Sequence, residues 1–175
     1  GLGDVYKRQV YGMPDKLPVD ENAPFKKAES PYGETKQECE ILISKNLCNS
    51  ISLRYFNPIG SHDSGLIGDC SNDNANNLVP IVTEVAYGIR DKLIVNGNDY
   101  NTHDGTCIRD YIHVQDLAVA HVKALDFLLD NKVKDVFNVG TGKGLSVLEI
   151  INEFQESNEL KLNYEFGPRR AGDIE

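Results

Sequence analysis

CIRDYIHVQDLAVAHVKALDFLLDNKVKDVFNVG, residues 107–140, decides the fold class. Its opening, Cys107 to Val114, carries β-branched and aromatic residues and reads as extended chain. From about Gln115 to Asp130 the spacing turns helical and sets Leu117, Ala120, Ala124, Leu125 and Leu128 on one side. Asp135 to Gly140 is a second short β-rich run ended by glycine. Strand, helix and strand in this order make an α/β unit.

The alternation continues on both sides. Upstream, Ser30-Pro31 supplies a cap and a first-turn proline for a helix through ETKQECEILISK to about Asn46. ISLRYF (Ile51 to Phe56) is a strand that Asn57-Pro58 ends, a helix is expected from Leu78 to about Arg90, and Leu93 to Asn96 is a short strand. Downstream, Ser146-Val-Leu-Glu149 is a capping box opening another helix, and KLNYEF is a last strand before Pro168-Arg169-Arg170. Four prolines (Pro14, Pro18, Pro24, Pro31) mark Tyr11 to Pro31 as loop. The stretch from Gly60 to Asn77 is a long Gly/Ser/Asp/Asn loop of the kind that usually serves function.

With 175 residues, 40% hydrophobic and 26% charged, the chain suits one ordinary domain or a large piece of one. A net charge of −9 argues against general affinity for nucleic acid or anionic membranes. It leaves room for one anionic small ligand, because a few arginines reverse the field locally. No apolar run approaches the about 18 residues of a membrane span, and no signal-peptide pattern is present. Cys39, Cys48, Cys70 and Cys107 form no C-x-x-C pair, which predicts reduced thiols in a cytoplasmic protein. The histidines show no metal-ligand spacing, so no metal site is expected, and His121, four residues after Leu117, is expected in the core. Residues 1–9, GLGDVYKRQ, have no periodicity and read as an anomalous, artefactual opening; the domain is expected to occupy residues 10–175.

Three groups of residues carry chemistry. Tyr32 and Lys36, four apart at a helix start, share a face, and a fixed cation beside a phenol favours the phenolate needed for acid–base work. The competing reading is chance, since the chain has 8 tyrosines. Arg109 and the Arg169-Arg170 pair have the fork geometry that grips a diphosphate; the alternative pairs each with a local acid such as Asp110 or Asp173. Gly140-Thr-Gly142-Lys-Gly144 lacks the G-x-G-x-x-G spacing and reads as a structural turn.

VYG (10–12), P-x-D-E (18–21), SPYGETK (30–36), RYFNPIG (54–60), NNLVP (76–80), the block around DGTCIRDYIHVQDLA, FNVGTGKGLSV and PRRAGD occur in an order and spacing that resemble the UDP-glucose 4-epimerase family of extended short-chain dehydrogenases/reductases. The likeness runs from Val10 onward, and the DGTCIRDYIHVQDLA block is far more specific than Y-x-x-x-K. The resemblance implies an α/β fold: the second half of a Rossmann-like doubly wound sheet plus a smaller interwoven substrate-binding domain. It implies NAD as cofactor, a UDP-sugar as substrate, and a homodimer for the complete protein. Tyr32 would take the proton of the sugar 4-hydroxyl while hydride passes to NAD, and the 4-keto sugar would turn over and receive hydride on its other face. Lys36 would support Tyr32 and hold the nicotinamide ribose. Tyr55, Phe56 and Pro58 match cofactor contacts. Asn57, Asn77, Leu78, Ile94, Val95 and Asn96 match substrate contacts, and Arg109 and Arg170 would clamp the diphosphate near Tyr111 and Asp173.

Two departures matter. Family members carry about a hundred residues more before this point, with the glycine fingerprint of the dinucleotide fold. They also place a catalytic serine where this chain has Lys7, which cannot supply the hydroxyl. The 175 residues alone are therefore expected to bind NAD weakly and not to epimerise. Two other readings remain at this stage: a different NAD-dependent sugar-nucleotide enzyme (dehydratase or decarboxylase), and a non-catalytic nucleotide-sugar sensor.

Overall fold

Residues 8–12, 18–28, 30–46, 48–69 and 75–170 are described by the computed structural model. Lys7, Cys70 and Asp173, and most of the anomalous opening, lie outside the described residues. The chain divides into two compact units, and strands and helices alternate in both. One, the α2 unit, takes Val5–Ile67 and Tyr111–Gly142; the other, the α5 unit, takes Gly68–Asp110 and Lys143–Glu175.

In the α2 unit a short helix α1 (Arg8–Tyr11) precedes α2 (Pro31–Lys45). As the sequence predicts, the Ser30 hydroxyl accepts from the Gly33 amide at 3.1 Å and Pro31 occupies the first turn. Strand β1 (Ser50–Tyr55) pairs with β5 (Lys134–Val139) in parallel, from Ser50 opposite Lys134 to Tyr55 opposite Val139. Parallel pairing requires a crossover, and α4 (Val114–Asp130) lies on it, packed against β1. Asn57-Pro58 does not end extended structure here. After a break at Phe56 the chain re-enters a strand, β2 (Asn57–Ile59), which pairs in parallel with Tyr111–His113.

Two expectations for α4 need correction. Leu117, Ala120, Ala124 and Leu128 are half-buried, but Leu125 is 55% exposed. It lies on the adjoining flank with Val119, Val122 and Leu129, so the apolar surface of α4 is wider than the part its own unit covers. His121 is exposed rather than core; its Nδ1 lies 2.8 Å from the Leu117 carbonyl and its ring 6.0 Å from Tyr55.

The α5 unit is built on β3 (Leu93–Asn96), parallel to β7 (Tyr164–Gly167), with α3 (Leu78–Ala86) and α5 (Val147–Ser157). Alternation along β3 sends Leu93 and Val95 into a core with Val82, Ile151 and Leu162, while Ile94 and Asn96 face outward. Burying each of these aliphatic side chains contributes about 1.5–3 kcal/mol. Helix α3 stops four residues short of the expected Arg90, because Gly88 takes φ +70° and its amide turns back to the Val85 carbonyl at 3.1 Å. The strand β4 (Ile108–His113) gives this unit its first half, Ile108–Asp110, antiparallel to β6 (Gly144–Ser146). The Gly140–Gly144 segment forms the turn between β5 and β6, with Gly142 at φ +72°.

The loop before β4 is fastened to the start of α5. Asp104 accepts from the Thr106 amide at 2.8 Å, from the Thr106 hydroxyl at 2.7 Å and from the Ser146 hydroxyl. Ser146 completes the expected capping box: its hydroxyl accepts from the Glu149 amide at 3.0 Å, and its own amide donates to Glu149 at 2.7 Å. Burial pushes the Asp104 carboxyl up, but the Ser146 and Thr106 hydrogen bonds, aided by His103, hold it below the usual carboxylate range. Ionised Asp104 therefore stabilises this unit above about pH 4, and that contribution is lost as pH falls further. Thermal unfolding of the chain between about pH 5 and pH 3 should show this acid slope, and Asp104→Asn should flatten it. An unchanged slope would place its origin elsewhere.

Candidate functional site

Helix α2 presents the first chemical group. Tyr32 and Lys36 are half-buried one turn apart, and the Lys36 ammonium stands 5.0 Å from the centroid of the Tyr32 ring. The helix spacing thus brings a phenol and a fixed cation together. In the same unit Tyr55 closes β1, and Phe56, Asn57 and Pro58 follow its carboxyl end, the end at which open parallel sheets receive ligands. Tyr111 is buried and stands opposite Asn57 in the β2–β4 register.

The α5 unit holds the other residues expected from the sequence. Asn77 is the N-cap residue of α3, yet its side chain caps nothing, and its Oδ1 is buried without a hydrogen-bond partner among the described residues. A buried carbonyl oxygen left in this state is costly unless a donor arrives from a ligand. Leu78 packs on the core. Val95 is 1% exposed as a whole residue and belongs to the core; Ile94 and Asn96 face outward. Asn96 pairs with Gly167, so the ends of β3 and β7 lie side by side and Arg169-Arg170 leave from the same edge as Asn96.

The arginines behave differently from one another. Arg109 is half-buried, and its Nη1 donates to the Ile108 carbonyl at 2.7 Å. Arg169 donates from Nε to Asp99 Oδ1 at 2.7 Å and lies over the Tyr100 ring at 4.2 Å. One acid it pairs with is thus distant in sequence, and Asp173 lies outside the described residues. That hydrogen bond holds the Asp99 carboxyl below its usual range. Arg170 is exposed. Among the described residues no cluster of three or more His, Cys, Asp or Glu side chains could hold a metal ion. No described helix is long and apolar enough to cross a membrane. Cys39, Cys48 and Cys107 are free thiols.

The sequence reading missed Arg54. This β1 residue is 5% exposed and grips Glu40 of α2 with a fork: Nε reaches Oε1 and Oε2 at 3.0 and 3.2 Å, and Nη2 reaches Oε2 at 2.6 Å. Its Nη1 donates to the Tyr11 hydroxyl and to the Glu21 carbonyl, and its guanidinium lies 4.5 Å from the Tyr11 ring centroid and 5.1 Å from that of Phe25. The Tyr11 hydroxyl in turn donates to Asn138 Oδ1 of β5 at 2.7 Å. Burial acts against the Arg54 charge, but the hydrogen bonds to Glu40 and Tyr11 outweigh it and raise its pKa. Burial pushes the Tyr11 phenol up, and Arg54 offsets part of that. The sequence signal was an arginine inside the short β-run ISLRYF.

Residues 8–140 match the model of the NAD dependent epimerase/dehydratase family. Among curated proteins, the UDP-glucose 4-epimerase of Drosophila melanogaster is 48% identical over 173 residues, covering 94% of this chain and 49% of that protein. That of Bacillus subtilis (strain 168) is 46% identical over 170 residues, covering 94% and 50%. Among solved structures, a UDP-glucose-4-epimerase from Stenotrophomonas maltophila with bound NAD and formylated UDP-arabinopyranose matches with a TM-score of 0.90 at 45% identity, covering 94% of this chain and 50% of that one. The enzyme from Bifidobacterium longum in complex with NAD+ and UDP matches with a TM-score of 0.86 at 41% identity, covering 95% and 51%. The chain spans about half the length of the curated relatives it matches.

Proposed function

Because this chain belongs to the NAD-dependent epimerase/dehydratase family, we propose that its complete gene product interconverts UDP-glucose and UDP-galactose at C4. The observation that carries the reading is the Lys36 ammonium standing 5.0 Å from the centroid of the Tyr32 ring at the capped start of α2. In this proposal Tyr32 removes the proton of the sugar 4-hydroxyl and returns it after the 4-keto sugar has turned over. Lys36 stabilises the phenolate while Tyr32 holds no proton. When bound, NAD supplies the hydride acceptor and gives the hydride back. Lys36, Tyr32, Tyr55, Phe56 and Pro58 would hold the cofactor, and the pairing of a phenol with a fixed cation suits that role.

The α5 unit is the proposed UDP-sugar domain, and the α2 unit the end of the dinucleotide-binding domain. The unpartnered Asn77 Oδ1 supports a ligand donor at that point. Arg109 and Arg170, with Tyr111 and Asp173, are assigned to the diphosphate, and Asn57, Leu78 and the Ile94–Asn96 strand to the rest of the nucleotide sugar. A homodimer in the cytoplasm is part of the same proposal; the exposed Ile41, Leu42 and Ile43 on α2 support the dimer alone.

The test is product analysis. The complete gene product given UDP-galactose should yield UDP-glucose with no accumulation of NADH, whereas a dehydrated or decarboxylated sugar would overturn the reading. The 175-residue chain by itself should bind NAD weakly and give no turnover; epimerisation by it alone would refute that part.

A further inference from the structure

We propose that Arg54 is a positioning residue for the reaction: by clamping Glu40 it sets the rotation of α2 about its axis, and so the direction in which the Tyr32–Lys36 pair is presented. The inference rests on the reading of Tyr32 and Lys36 given above. Tyr32, Lys36 and Glu40 follow one another at intervals of four, so they lie along one face of α2. Whatever fixes the azimuth of Glu40 fixes that of the phenol and the ammonium as well. Arg54 does so from a β1 strand that is itself locked to β5, with three contacts of 2.6 to 3.2 Å to the Glu40 carboxylate. A second anchor acts one residue after Lys36: Gln37 Nε2 donates to the Val10 carbonyl at 2.6 Å and to the Lys26 carbonyl at 2.8 Å.

A buried ion pair is a poor way to gain stability alone, because desolvation consumes most of the attraction, and apolar residues of the same size often serve as well. What the fork supplies is direction. Two parallel N–H donors on a planar group admit a carboxylate in one orientation, which an apolar contact does not impose. The Tyr11 and Phe25 rings over the guanidinium hold the fork itself in place.

Arg54→Lys and Glu40→Gln in the complete gene product test the assignment. Each should lower kcat for UDP-galactose by about tenfold or more, since small misplacements of reacting groups have such effects. KM should stay within about twofold, because neither residue is assigned to the substrate. Nuclear Overhauser contacts between α2 and α1 should change, while the Tyr32–Lys36 contact, fixed by helix spacing, and the resonances of the α5 unit stay in place. Folded variants with wild-type kcat and unchanged contacts between α2 and α1 would overturn the proposal. So would a parallel loss of kcat, KM and thermal stability with those contacts intact, which is the signature of a merely structural pair. If Arg54→Lys does not fold, Glu40→Gln, which keeps a carbonyl oxygen for the fork, decides. If the wild-type protein has no epimerase activity, the functional reading fails separately, and the contacts between α2 and α1 alone judge the role of Arg54.

Discussion

Tyr32→Phe in the complete gene product should lower kcat for UDP-galactose by about 10²- to 10⁴-fold, the range expected when a positioned acid–base group is removed. The substitution deletes one oxygen and leaves the ring that Lys36 overlies, so the cation–ring contact at 5.0 Å and the cap of α2 survive it. Thermal unfolding separates loss of the phenol from loss of the fold. KM should change little, because the phenol acts on a proton that moves in the transition state, and groups of that kind affect kcat and kcat/KM together. Steady-state kinetics with thermal unfolding as control make the measurement. If the Phe variant keeps more than about a tenth of wild-type kcat, another group carries the proton.

Gly105→Ala should destabilise the α5 unit by about 3 kcal/mol, through two separable effects. Gly105 has φ +79°, and a Cβ placed there would lie 2.3 Å from the backbone carbonyl oxygen of Asn98. A carbonyl in a turn cannot swing aside as a side-chain tip can, so the loop must open. The Asp104–Ser146 contact beside it is drawn into the same change. Gly142→Ala separates the terms: φ is +72° there, but nothing lies within 4 Å of the added carbon. That control should cost only about 1 kcal/mol. Urea denaturation of the two variants checks the difference; equal losses would assign the whole effect to backbone conformation.

What was legible in the sequence was local. Ser30-Pro31 and Ser146–Glu149 specify helix starts through hydrogen bonds reaching three residues, and both formed as expected. The four-residue interval from Tyr32 to Lys36 fixes their proximity once the helix exists. Alternation of strand and helix gave the α/β class, and the parallel β1–β5 and β3–β7 pairs agree with it. What stayed hidden depends on partners distant in the chain. Glu40 and Arg54 meet only after β1 packs beside α2, and Asp104 reaches Ser146 across 42 positions. Arg169 likewise finds Asp99, separated from it by 70. A periodic pattern shows that α4 is apolar but not which flank its neighbours cover, so Leu125 and His121 were misplaced. Gly88 ended α3 early because a glycine inside a helical pattern is ambiguous until its φ is known.

The uncovered flank of α4 sets apolar attraction between molecules against repulsion by their own charge. Val119, Val122, Leu125 and Leu129 offer other molecules a greasy stripe, and a net charge of −9 keeps those molecules at a distance. Repulsion of this kind reaches about 30 Å at 0.01 M salt and about 8 Å at 0.15 M, whereas attraction between apolar surfaces survives added electrolyte. Dissolved salt is therefore expected to draw such molecules together.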